Sequence, residues 1–224
     1  MGLYELMREY AVETGVKGDP STLTPELGHS LSLFHTALLE AELSHEGEEE
    51  KPWVTASPTE IDGSHLSYFV VAFLPFSSVS EKSEMNAVLF DLYSFFKWMD
   101  KKGIKHGFSH LNLMDLIKDL CAMQERCLQL SHLLDHESGR ILEQHPDIVN
   151  TVNDVFSVIK IDNEIVTLKG RRENETVRLR LPEKILPLIK LNDSLELVLG
   201  DTSESWVLLE AGQVFPEFPT QKLT

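Results

Sequence analysis

Val177-Arg178-Leu179-Arg180-Leu181 alternates apolar and charged residues, and the same two-residue period runs from Phe156 to Leu208. Phe156 and Val158 with Ile161, Ile165-Val166-Leu168, Leu195-Leu197-Leu199 and Trp206-Leu208 all follow it. A period of two sends successive side chains to opposite faces of a strand. Asp162-Asn163, Gly170 to Asn174, Asn192-Asp193 and Gly200-Asp201 are turn-forming clusters between these runs. Five or six short strands in about 65 residues predict a small closed or half-open β-barrel over residues 151–224.

Upstream of residue 154 the period is helical. Leu3, Leu6, Met7 and Tyr10 mark one helix face that Gly15 or Gly18 can end. Thr24-Pro25-Glu26 reads as a helix start with a capping hydroxyl, and Leu27, Leu31, Phe34 and Leu38 continue its face. Ser57-Pro58-Thr59-Glu60 is a capping box, followed by the stripe Leu66, Phe69, Val70, Phe73 and Leu74 that Pro75 stops. Ser80 or Ser83 opens a helix whose buried face is Met85, Val88, Leu89, Leu92, Phe96 and Met99, with Gly103 at its end. The acidic run Glu46-Gly47-Glu48-Glu49-Glu50 reads as a solvated loop.

Residues 110–144 predict one longer helix closed by His145-Pro146. Leu113, Leu116, Leu120, Met123, Cys127, Leu130 and Leu134 step by three and four along it as a heptad seam. Seven apolar positions on one stripe face either the bundle or a second copy, so the seam is a candidate self-association surface. The fold class that follows is α+β: a helical bundle over 1–108, a long helix or linker over 109–150, and the small β-barrel.

The chain of 224 residues carries 20 Lys+Arg against 36 Asp+Glu, a formal charge of −16. Such a balance repels phosphate backbones and anionic membranes over most of the surface. Glu5, Arg8 and Glu9 interrupt the start of the sequence, so no signal-peptide stretch begins there. The longest apolar run, Leu66 to Phe76, is too short to span a bilayer. Cys121 and Cys127 lie six apart on a helix and point in different directions, so they do not pair locally. These features place the protein in the cytoplasm with reduced thiols.

The order of motifs in residues 1–104 resembles a known family. A short helix, the Thr-led helix with Leu31-x-x-Phe34-x-x-x-Leu38, a capped third helix, and Leu89-Phe90-Asp91-Leu92-Tyr93-Ser94-Phe95-Phe96-Lys97-Trp98-Met99 ending at Gly103 are similar to the SAM-like core-binding domain of tyrosine recombinases. The resemblance implies a four- or five-helix bundle, which in that family clasps DNA beside a catalytic domain. Where the family usually has Tyr near the start of its second helix, this chain has His29. Residues 1–108 carry a charge of −9, and the residues after Gly103 contain neither His-x-x-Arg nor any tyrosine. The bundle shape carries over; recombination chemistry does not.

Cys-x-x-Cys, His-Glu-x-x-His, Gly-x-Gly-x-x-Gly, Gly-x-x-x-x-Gly-Lys-Ser/Thr and Gly-x-Ser-x-Gly are all absent from the sequence. Gly107-Phe108-Ser109-His110-Leu111 comes nearest to a nucleophile elbow but fails at its last position, and Ser109 is better read as a helix cap. His132 and His136, four apart on one helix face beside Asp135 and Glu137, have a spacing that can chelate a divalent metal such as Zn²⁺. Further ligands would come from His106, His110 or His145. Arg171, Arg172, Arg178 and Arg180, with Lys160, Lys169 and Lys184, form the basic concentration of the chain. With Trp206 or Phe215 as a stacking face they are candidate nucleic-acid or phosphate contacts; the competing account makes Arg178 and Arg180 the polar face of a strand. Tyr93 to Trp98 read as bundle core. The expectation from sequence is a non-catalytic interaction or adaptor protein without a cofactor, binding a protein partner or a second copy. A nucleic-acid-associated accessory protein is the alternative.

Overall fold

Leu3, Leu6, Met7, Tyr10 and Ala11 recur at helical spacing and form the buried face of the first helix, α1 (Leu3–Thr14). Gly15 ends it in the left-handed conformation, as the sequence predicts. The structure, a computed structural model, describes residues 1–41, 43, 53–77, 82–109, 112–172 and 174–217. Glu46–Glu50, Ser80, His110 and Glu173 lie outside the described residues.

Four further helices follow: α2 (Gly28–Glu40), α3 (Gly63–Ser67), α4 (Lys82–Lys101) and α5 (Leu113–Leu142). The Thr24 cap is a correction. Pro25–Leu27 forms a short 3-10 turn without a side-chain cap, and the Thr24 hydroxyl instead meets Ser32 Oγ at 2.8 Å. The Ser57/Glu60 capping box forms, on the turn Pro58–Glu60. Asp62 and His65 form a second one before α3. The Leu66–Leu74 stripe is buried apart from Phe73, and it winds as a π-helix over Tyr68–Phe73 before the Pro75 turn. From α4, Val88, Leu89, Leu92, Phe95, Phe96 and Met99 are buried. Phe96 meets Phe34 edge-on at 6.1 Å, and Phe34 in turn meets Phe69 edge-on at 5.0 Å. Phe108 closes the cluster at 5.0 Å from Phe96.

The chain divides into two compact units, one reaching to Cys121 and one beginning at Ala122. That division falls inside α5. In the second unit, β1 (Asn150–Asp162), β2 (Ile165–Gly170), β3 (Thr176–Arg180), β4 (Ser194–Asp201) and β5 (Trp206–Phe215) form one sheet in the order β1-β2-β3-β5-β4. β4 also pairs with β1, from Asn150↔Asp201 to Ser157↔Ser194, so the order returns to its start. The remaining junction is a parallel one between β3 and β5, registered at Leu179↔Trp206. Phe156, Val158, Val166, Leu168, Val177, Leu179, Leu195, Leu197, Leu199 and Leu208 are buried on the inner face. Asn163, Asn174 and Asn192 take positive φ in the turns. Gly200-Asp201 is a correction: both residues belong to β4, and the turn lies at Thr202–Ser205, held by Thr202 N–H to Ser205 O at 3.0 Å.

Residues of α5 from Ala122 onward lie along this sheet. The Arg126 guanidinium donates to both Asp193 carboxylate oxygens, at 2.7 and 2.8 Å, and to the Leu188 carbonyl at 2.6 Å. Ser131 Oγ donates to the Gly212 carbonyl at 2.7 Å. No helix among the described residues is long and apolar enough to cross a membrane.

Candidate functional site

β3 carries the alternation that the sequence displays. Val177 and Leu179 point into the sheet's interior, and Arg178 and Arg180 stand exposed on the opposite face. Beside them, the start of β5 presents Trp206 and Val207, the preceding turn presents Glu204 and Ser205, and α5 presents Glu137, Arg140 and Ile141. Together with Glu164, Ile165, Leu181 and Pro182 these residues line a groove of about 770 Å³. The groove lies wholly within the second unit. Its apolar residues and three arginines make it a candidate binding site, in the size range of about 300–1,000 Å³ typical of ligand pockets.

The charges of this groove are largely committed to one another. Arg140 grips Glu137 through Nε at 3.0 Å and Nη2 at 2.6 Å, which holds the otherwise buried Glu137 carboxylate at the rim and raises the Arg140 pKa. Arg180 stands 3.7 Å from Glu164, with both side chains well exposed. Among the described residues Arg178 and Glu204 have no ion-pair partner. Three Arg and three Glu side chains therefore line the groove, and the net formal charge is zero. Zero charge offers a polyanion no electrostatic advantage.

The sequence candidates fall into different places. Arg178, Arg180 and Trp206 converge in the groove. Arg171 and Arg172 do not join them: they sit at the β2–β3 turn, where Arg172 N donates to Asp154 Oδ2 at 2.9 Å. Phe215 lies at the opposite end of β5 from Trp206, so it does not share the groove. The four arginines are thus no single face, because the hairpin separates its tip from its base. The sequence pattern does not mark Arg140, Glu204 and Glu164, and it places Glu137 beside the histidine pair rather than in this groove. The available signal was the Glu137/Arg140 spacing of three at the end of a helix.

Of the helix seam, Leu113, Leu120, Cys127, Leu130 and Leu134 are buried and Leu116 and Met123 half-buried within the chain. Burial pushes the Cys127 thiol up to about 11. His132 and His136 are both exposed. Among the described residues no group of three or more His, Cys, Asp or Glu is placed to hold a metal ion. His106, a proposed third ligand, is buried in the first unit and bonded to Asp100 at 3.0 Å. Ser109 is no helix cap; its hydroxyl accepts from His106 N–H within the turn that precedes α5. Gly107 is required for another reason: a Cβ there would lie 1.7 Å from the Ile61 carbonyl oxygen.

Elsewhere in the first unit, His35 is fully buried and accepts Val54 N–H at its Nε2, 3.0 Å away, leaving Nδ1 without a hydrogen-bond partner. Desolvation lowers its pKa to about 4. Tyr4 stacks on Trp53, 5.7 Å between centroids, and donates to Glu26. These groups fix the packing of α1 on α2 and line no cavity described here. No protein-family model matches the chain, no curated protein matches it, and no solved structure matches it.

Proposed function

We propose that the chain is a non-catalytic, cytoplasmic interaction or adaptor protein, and that its closed sheet acts as a small β-barrel receiving a protein partner. The observation that carries this reading is the groove at the β3–β5 junction, which combines an indole, apolar residues and charges of both signs. Interface hot spots are enriched in Trp and Arg, and the groove brings Trp206 together with three arginines. The absence of phosphate-cradle and nucleophile-elbow motifs supports a binding role over catalysis. A photo-crosslinking residue at position 207 tests the reading in cells. Discrete protein adducts that vanish when Trp206→Ser is added support it; their absence, or adducts indifferent to that change, overturns it.

The second reading is a nucleic-acid-associated accessory protein, the role that a recombinase-like bundle would retain. Arg178, Arg180 and Trp206 in one groove favour it; the three glutamates beside them oppose it. Micromolar retention of a single-stranded oligonucleotide at ~0.15 M salt, where the screening length is ~8 Å, would promote it if lost on changing Arg171, Arg172, Arg178 and Arg180 to Ala.

A further inference from the structure

Among the described residues, the groove charges without an ion-pair partner specify more than an acidic or a basic partner. We infer that the groove binds an extended peptide segment carrying one acidic and one basic side chain on either side of an apolar residue. The inference rests on the reading of the sheet unit as a protein-interaction module. Arg140 is committed to Glu137 by two hydrogen bonds, and Arg180 has Glu164 at 3.7 Å. Among the described residues Arg178 and Glu204 are the lining charges with no such partner, and Trp206 lines the groove with them.

Charge complementarity then selects the occupant. A carboxylate meets the Arg178 guanidinium, which can hold it through two parallel N–H donors. An ammonium or guanidinium meets Glu204. An aliphatic or aromatic side chain covers the indole, the large flat surface of the site. A uniformly acidic segment gains at Arg178 but is repelled by Glu204, Glu164 and Glu137; a uniformly basic one meets Arg178, Arg180 and Arg140. β3 and β5 run parallel, registered at Leu179↔Trp206, and a segment lying beside strands is bound in extended form.

The test pans a phage-displayed library of short random peptides against the full chain. The expected result is enrichment of peptides with opposite charges flanking an apolar residue. Arg178→Glu should weaken the selected peptides about tenfold, as charge reversal turns attraction into repulsion, and Glu204→Arg should do the same. The double variant Arg178→Glu with Glu204→Arg should recover affinity for the charge-swapped peptides. Enrichment of uniformly acidic or uniformly basic peptides that still depends on Trp206 overturns this inference and leaves the interaction reading standing. Failure to enrich any peptide, or enrichment unaffected by the two charge reversals, overturns it too. If adducts at position 207 are also missing, the interaction reading falls with it. Circular dichroism of each variant shows that lost binding is not lost folding, since Arg178 and Glu204 are exposed.

Discussion

Asp193→Asn isolates the energy of the Arg126–Asp193 ion pair, which ties α5 to the turn before β4. Asp193 is only 1% exposed, and its carboxylate accepts three hydrogen bonds: two from Arg126, at 2.7 and 2.8 Å, and one from Lys190 N–H at 2.8 Å. The carboxamide keeps the shape but removes the charge and turns one acceptor into a donor facing the guanidinium. Arg126 is left with the Leu188 carbonyl at 2.6 Å and a buried Nε that already lacks a partner. A buried charge stripped of its counter-charge costs about 3–5 kcal/mol. Urea unfolding followed by Trp206 fluorescence, in a Trp53→Phe and Trp98→Phe background, reads the second unit alone. Arg126→Met on top of Asp193→Asn should return much of the loss, because no unpaired charge then remains. A loss below about 1 kcal/mol for Asp193→Asn, in the range of exposed pairs, would refute the argument that the pair is desolvated.

Three further outcomes follow from the packing. His35 has a folded pKa of about 4 against 6.5 when unfolded, so its own contribution to stability is constant above pH 6.5 and falls as the unfolded imidazole takes up its proton. The decline levels off below about pH 4 after roughly 3 kcal/mol, and His35→Gln, which can still accept Val54 N–H, should remove that part of the urea-midpoint profile. Gly107→Ala should destabilise the first unit by about 1–3 kcal/mol in thermal melts, since the Ile61 backbone must move away from the new Cβ. Leu120→Asp with Leu130→Asp should unfold the chain rather than convert a dimer to a monomer, because both positions are at most 2% exposed; folded, monomeric double variant in sedimentation would restore the seam as an interface.

How much of this was legible in the sequence depends on how far apart the interacting residues lie. The switch from helical to alternating period near residue 154, the stripes of α1, α4 and α5, and the Asn-led turns are all set by neighbours within one or two turns of chain. Backbone sterics and face-by-face burial act over that distance, so local pattern sufficed. It failed where a local signal had a distant competitor: the Thr24 hydroxyl is drawn to Ser32, and Gly200-Asp201 is held in β4 by its pairing with Asn150 and Thr151.

The sequence by itself determined an α+β chain, the strand periods, and the alternation that turns Arg178 and Arg180 away from the core. Only the tertiary structure decided which residues meet. Insertion of β5 between β3 and β4 brings Trp206 to Leu179, and with it Glu204 to Arg178's groove. The Arg126–Asp193 pair spans 67 residues, and the seam's burial depends on what the folded chain lays against it. Such contacts form only after loop closure over long separations, at an entropy cost that grows slowly with length, so no local pattern selects among the alternatives. The energy of the assembled core makes that selection.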